Sequence, residues 1–528
     1  MTIATTYDVL SPYRKPERPT LPDGVYTRDQ LKRDTEMSCD VVIVGSGAGG
    51  GTLAAELAEA GVDVVVLEEG SYFRTEDFGT DATGGARQLY REMGTTMTIG
   101  LPPVLYQEGC TVGGSTVING GMSWRTPEQI LHSWDRDHHL KQITAKDLDP
   151  WFERVERRIN VAYQDPESHS RDNLMLKEGA DRQGWNIIPN RRNQVHCAGT
   201  NNCAFGCPTG AKRSVLLTYV PRALHFGARL LANVRVAKIM RKGKRAVGVQ
   251  GRVVRMDGTA GPRVTVHAKL VVSSCGAIHT PALLKRSGFR VPSRMIGRNL
   301  WLHPNSKVVA VFDEDVRGWE GAHQSFQIRE FDERGVLFAA VNVPPGIVAM
   351  TSPAYGDELG DMMKDYNRML VAGLLVEDPS SGRVITLPGG KPLPLYALSD
   401  NDADTLQWGV CKLCELLFDI GARTIFMPFE GVAPLRSPDD LEKLKKRTIS
   451  KSGMEVVTVH LMGTARMGED RRSSVTNSFG FVHDTDRLMV TDASLFPSPI
   501  GVNPAMTIQT LATRNAVHIL ENRRRYLA

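Results

Sequence analysis

"CDVVIVGSGAGGGTLAAELAEAGVDVVVLEEG", residues 39–70, decides the architecture of the chain. An apolar run, VVIV, leads into a glycine turn. An alanine- and leucine-rich stretch follows, and a second apolar run, VVVL, ends on two acids. Strand, turn, helix and strand in this order predict a βαβ unit with its two strands parallel. Gly45, Gly47 and Gly50 stand at the turn in G-x-G-x-x-G register. The first permits the tight turn, the second lets a pyrophosphate approach the backbone, and the third lets the helix sit close to the strand. With Ser46, Ala48 and Gly49 between them, they open a helix whose free N–H groups favour phosphate. Glu68, 23 residues after Gly45, is the acid expected to bind ribose hydroxyls, with Glu69 as its substitute. The motif alone does not choose between NAD and FAD.

Working outward, "AKLVVSSCGAIHTPALLKRSG" (268–288) repeats the strand, glycine turn and helix. "RLMVTDASLFP" (487–497) is a further strand, and "NPAMTIQTLATRNAVHILENRRR" after it carries helical apolar spacing. Residues 146–190 read as helical and charged, and 191–215 as a Gly/Cys/Asn loop. Residues 300–455 hold the strand-like runs SKVVAVF, GVLFAAVNV and RMLVAGLLV, with a helix near 402–419. The expected class is α/β: a Rossmann-like nucleotide-binding domain with an inserted α+β substrate-binding domain, a mixed sheet covered by helices. The expected divisions are an N-terminal arm at 1–37; nucleotide-binding pieces at 38–160, 216–304 and 456–528; a helical and cysteine-loop insertion at 161–215; and the substrate-binding domain at 305–455.

The formal net charge of +5 is spread over scattered Lys and Arg, which argues against a nucleic-acid partner. No apolar run approaches the roughly 18 residues a membrane helix needs, and the start lacks an apolar core after its charges. A cytoplasmic protein is therefore expected, with peripheral membrane contact left open. Eight cysteines are too dilute for a disulfide scaffold.

A second glycine-rich run, "GCTVGGSTVINGG" (109–121), carries no charged residue. FAD is long and lies extended, so a second bare backbone segment has a use beside it that NAD does not offer. Here the chain resembles the glucose–methanol–choline (GMC) oxidoreductase family. The resemblance rests on "GSGAGG", "GCTVGGSTVINGG", "CGAIHTPALLKRSG", "IGRNLWLHP" (296–304), "HLMGTARMG" (460–468) and "TDASLFPSPIGVNPAMTIQTLA" (491–512), in the family's order. It implies that the first motif holds the ADP half of FAD. The second run, with Gly109, Gly113, Gly114, Ser115, Asn119 and Gly120, would flank the flavin. Asp492 would lie near the pyrophosphate and ribityl chain. Val236 matches the adenine-contacting position, though plain strand core explains it equally. Where some members carry a flavin-linked histidine, this chain has Val117 and Ile118, which implies non-covalent FAD.

Oxidising an alcohol removes a hydroxyl proton and a hydride. Flavin chemistry takes the hydride, and the protein must supply a proton acceptor and an anchor for the oxygen. A histidine suits the first task because its pKa lies near neutrality. By resemblance His460 is that base and Asn503, 43 residues on, is the anchor. Pro504 holds the preceding Asn503 extended and contributes to the cofactor site with it. Asn503 also reads as a helix N-cap, and His303 and His196 read as structural. "SPIGVNPAMTIQ" is most similar to the long-chain alcohol oxidase branch, implying a primary aliphatic or other apolar alcohol, with O2 or another electron acceptor. Two rivals stand beside this reading: a sugar dehydrogenase that passes electrons to a partner, and a GMC-fold lyase with non-redox FAD. Cys197, Cys203 and Cys207 could ligate an iron–sulfur cluster or form a compact loop of buried thiols. Cys411 and Cys414 share one helix face and read as core, so no metal site is expected.

Overall fold

The computed structural model describes residues 20–528 except 351, 353 and 379. The quoted stretch forms the centre of an eight-stranded sheet. Strand Thr35–Val44 lies between Val64–Leu67 and Ala260–Ser273, parallel to both. Arg229–Leu231 and then Val25–Tyr26 extend the parallel order on one side. On the other, the long strand Ala260–Ser273 splits its free edge. Its first half pairs with the antiparallel hairpin Val234–Lys242 and Arg245–Val254, and its last residues pair in parallel with Leu488–Val490. Val41, Val42, Ile43 and all of Val64–Leu67 are buried, as the continuous apolar runs of a sheet covered on both faces require. Helix Ala48–Glu59 packs on helices Tyr219–His225 and Ala505–Glu521. Its Gly49 lies directly on the last strand's exit: a Cβ there would fall 1.6 Å from Thr491 O.

The second sheet has nine strands. The main order runs Thr96–Met97, Val104–Tyr106, Val456–Thr458, Asn305–Val311, Met369–Val376, Val336–Ala340, Phe326–Ile328 and Ile187–Pro189, with Thr424–Phe426 also on Asn305–Val311. Alternation along Asn305–Val311 is clear. Val308 and Ala310 join the core under helices Arg171–Gln183 and Asp400–Asp419, which includes Cys411 and Cys414. Val309 and Val311 face a smaller cluster with Val348 and Met362.

A four-stranded sheet, Pro392–Leu395, Gly382–Thr386, Arg298–Leu302 and Leu461–Met462, joins the two units. Of the stretch read as an arm, residues 1–19 lie outside the described residues. Residues 20–37 supply the edge strand Val25–Tyr26 and the start of the central strand. Thr96–Met97, Val104–Tyr106 and Val456–Thr458, read from sequence as nucleotide-domain pieces, pair into the second sheet. Thr96–Met97 pairs locally with Val104–Tyr106, but Val104–Tyr106 meets Val456–Thr458 from far along the chain, so no local pattern announces the join to the second sheet.

Candidate active site

The two glycine-rich runs meet. Gly45 has φ +99°, and a Cβ there would fall 2.2 Å from Ser274 O. A Cβ on Gly114 would fall 2.8 Å from Gly47 Cα, so the turn and the second run approach backbone to backbone. Ser46 links them: its hydroxyl donates to Glu68 Oε2 (2.7 Å) and accepts from Gly113 N (3.0 Å). Glu68 also accepts from Ser46 N (3.0 Å) and Gly70 N (2.9 Å), and burial pushes its carboxyl above the usual range. Glu69 points elsewhere, into an ion cluster with Arg91 (3.1 Å) and Arg235 (2.7 Å). Burial opposes its ionisation, but the two guanidiniums outweigh it and hold the carboxyl at about 2. Glu68, not Glu69, therefore faces the turn. Ala48 begins the helix and Gly50 packs against Gly45 O, where a Cβ would fall at 2.0 Å.

Asp492 is buried behind this turn. Its Oδ2 accepts from Gly276 N (3.0 Å) and Thr280 Oγ1 (2.5 Å), and its Oδ1 from Ser494 N (2.8 Å) and the Ser494 hydroxyl. Val236 is buried in its strand within the core, its carbonyl accepting from Arg286 Nη2 (2.7 Å).

In the second run, Gly109 N donates to the exposed Ser115 Oγ (3.0 Å). Asn119 Oδ1 is buried without a partner, and the N–H groups of Asn119, Gly120 and Gly121 donate to no group among the described residues. A buried polar atom such as Asn119 Oδ1 is normally satisfied. An unpartnered row beside two bare glycine surfaces fits the polar edge of a flavin. These residues, with Ser46, Glu68 and the helix start at Ala48, are the ones that could hold FAD.

His460 and His303 are brought together by register. Leu302 pairs with Leu461 in the antiparallel ladder Arg298–Leu302/Leu461–Met462, so the next residue on one strand faces the preceding one on the other. Their Nδ1 atoms are 3.0 Å apart, with the rings edge to face. Thr458 ties the two segments: its hydroxyl donates to His303 O (3.0 Å) and accepts from His460 N (3.2 Å). Burial pushes the His460 imidazole down to about 4. It pushes His303 well below its ordinary value, with His460 adding to the effect. Both rings are therefore neutral at pH 7, and an Nδ1–Nδ1 contact requires one to donate and the other to accept.

On its other side, His460 Nε2 lies 3.3 Å from Asn503 Nδ2. Asn503 precedes Pro504, which has helical φ and ψ at the cap of Ala505–Glu521. Its amide faces the imidazole rather than capping that helix. His303, read from sequence as structural, is thus part of the site. The signal was its place at the end of a strand whose partner ends at His460, visible only once the pairing is known.

Cys203 and Cys207 are buried, Cys197 partly so, and all eight cysteines are free thiols. Among the described residues no three His, Cys, Asp or Glu side chains are grouped to hold a metal ion. Cys203 Sγ instead accepts from Arg192 Nη2 (3.3 Å), and Cys207 Sγ from Lys212 N (3.4 Å).

GMC oxidoreductase family models match residues 86–305 and 381–512, and an FAD binding domain model matches 40–97. A GMC-type oxidoreductase of Sinorhizobium fredii is 33% identical over 92% of this chain and 95% of its own. A long-chain-alcohol oxidase of Arabidopsis thaliana is 29% identical over 93% of this chain and 68% of its own. The solved structure of a pyridoxine 4-oxidase from Mesorbium loti shares the fold, with a TM-score of 0.70 at 18% identity, covering 92% of this chain and 99% of that one. The chain belongs to the GMC oxidoreductase family and carries an FAD-binding domain.

Proposed function

We propose that this GMC oxidoreductase oxidises the CH–OH group of a small-molecule alcohol, with His460 as the base, Asn503 as the oxygen's anchor and FAD held without a covalent link. The observation that carries this reading is the environment of one imidazole. Its Nε2 faces the Asn503 amide, its Nδ1 is held by His303, and burial keeps it neutral. For Nε2 to accept a proton it must present a lone pair. The proton of neutral His460 then sits on Nδ1 and donates to His303 Nδ1. That arrangement leaves the His303 proton on Nε2, an atom with no partner among the described residues.

Bound FAD supplies the hydride acceptor. The remaining task falls to the protein: Asn503 Nδ2–H orients the alcohol oxygen, and His460 Nε2 takes the hydroxyl proton. The resulting imidazolium keeps its Nδ1–H on His303. Ser46, Glu68, Asp492 and the bare turns at 45–50 and 109–121 hold the cofactor. Val117 and Ile118 offer no atom for a covalent bond, which supports non-covalent binding.

A primary aliphatic or other apolar alcohol is the substrate class we favour, with O2 or another acceptor reoxidising the enzyme. The likeness to the long-chain-alcohol oxidases of Arabidopsis thaliana supports it. So does Val459, an apolar residue next to the base in the chain that is 55% exposed. The test is anaerobic mixing of the yellow protein with aliphatic alcohols, sugars and sterols, followed by air. Bleaching by an aliphatic alcohol is expected, and His460→Ala should keep its flavin yet lose the bleaching rate by roughly 10²–10⁴-fold. Near-normal reduction of that variant removes His460 from the mechanism. A flavin that no alcohol bleaches favours the non-redox reading.

A further inference from the structure

Two cations sit where the reaction just described makes no use of them. Arg192 is 1% exposed and Lys212 3% exposed, and among the described residues neither has a carboxylate partner. An unpaired buried charge is expensive unless polar groups surround it. Here most of the polar groups are backbone carbonyls of the 117–121 turn, with one carbonyl from the cysteine loop and one side-chain amide oxygen beside them. Lys212 Nζ donates to Val117 O (2.7 Å), Asn119 O (2.7 Å) and Cys203 O (2.5 Å). Arg192 donates twice to Gly120 O, from Nη2 (2.9 Å) and Nε (3.2 Å), and once to Gln164 Oε1 (2.9 Å). Burial pushes the Lys212 ammonium down to about 8. Burial, with the two cations adding, pushes the neighbouring His323 down to about 3.

The contacts are directional. In a trans peptide the N–H points opposite to the C=O. The N–H groups of Gly120 and Gly121, which share peptides with the Asn119 and Gly120 carbonyls, therefore face away from the cations. These are the N–H groups that donate to nothing among the described residues. A cation on the carbonyl end polarises the peptide and makes its N–H a stronger donor, as in any hydrogen-bonded chain of low local dielectric. The Gly120 peptide is closely covered on its other side: a Cβ there would fall 2.0 Å from the end of the Gln324 side chain, Oε1.

Resting on the reading that FAD lies against residues 109–121, we propose that Lys212 and Arg192 are positioning residues that polarise the 117–121 turn toward the flavin and raise its midpoint potential. The cysteine loop is their scaffold. It delivers Lys212 into the turn, and its Cys203 contributes a carbonyl to one cation and a sulfur to the other. This gives residues 196–214 a role that needs no metal.

The test is the midpoint potential of the holoprotein, measured by equilibration with reference dyes, for wild type, Lys212→Met, Arg192→Gln and the charge-keeping Lys212→Arg and Arg192→Lys. Lys212→Met should keep FAD and weaken the two-electron reduction equilibrium about tenfold, about 30 mV. Lys212→Arg should restore most of it. A Lys212→Met flavin at the wild-type potential overturns the proposal. Should Lys212→Met and Arg192→Gln fold but lose FAD, recovery of FAD in the charge-keeping variants supports it, and failure to recover overturns it. A wild-type protein that is colourless and cannot be reconstituted sinks the flavin reading and this proposal together. A yellow wild type with an unshifted Lys212→Met sinks this proposal alone.

Discussion

The contact between His303 and His460 can be tested with His303→Phe. Phenylalanine fills the space of the buried imidazole but offers no lone pair, so the change removes one interaction: the 3.0 Å contact between the Nδ1 atoms. In the resting enzyme that contact is a hydrogen bond between neutral rings, worth about 0.5–1.5 kcal/mol. When His460 holds the substrate's proton, the same bond has a charged donor and is worth about 1.5–3 kcal/mol. Only the difference, about 1–1.5 kcal/mol, acts on the rate. Each 1.36 kcal/mol is a factor of ten, so flavin reduction should slow about tenfold with little change in KM. The unpaired buried Nδ1–H separately lowers stability by about 1–3 kcal/mol. Stopped-flow bleaching under saturating alcohol reads the rate. Its pH profile supplies a second check. His460 acts as a base only when neutral, so the rate falls as pH drops through its pKa, near 4 in this structure. Removing an acceptor that favours the imidazolium moves that limb to lower pH. A variant with unchanged kcat and an unmoved limb refutes the idea that His303 holds the base through Nδ1.

Two further outcomes follow from packing and burial. Gly49→Ala sets a methyl 1.6 Å from Thr491 O, and neither backbone can withdraw without opening the sheet. It should cost about 3 kcal/mol or more and weaken FAD retention, read by melting temperature and flavin absorbance. Gly61→Ala is its control, since nothing lies within 4 Å there and only the strain of φ +75° remains. The second concerns acid. His460 titrates at about 4 in the fold and near 6.5 unfolded, so the unfolded chain binds more protons between those values. Stability is full above pH 6.5 and drains as pH falls toward 4, by about 3 kcal/mol for this group at 1.36 kcal/mol per unit. Denaturation midpoints at pH 7 and pH 4.5 should show that slope weakened in His460→Phe. Equal slopes would mean the imidazole is charged in the fold.

How legible these features were in the sequence follows from the range of the interactions behind them. The 39–70 unit is written locally: strand, glycine turn, helix and acid lie within one short span, and Glu68 and Ser46 meet 22 residues apart. The same holds for the helix after Asn503 and for Cys411 and Cys414 on one helical face. His303 reads as structural in the sequence because the imidazole it meets is 157 residues away, and only the pairing of Leu302 with Leu461 sets them face to face. No residue pattern in "IGRNLWLHP" encodes that register. Lys212 and Arg192 escaped for a different reason. An ion pair leaves a trace in sequence as two opposite charges, whereas a cation held by carbonyls has partners that every residue carries. The bare 109–121 run was conspicuous for the side chains it lacks, and that is half of its design. The other half is the pair of charges behind it, contributed by a strand and by the end of the cysteine loop. A glycine-rich turn can bring its N–H groups close to a ligand. How strongly those groups donate depends on what holds its carbonyls.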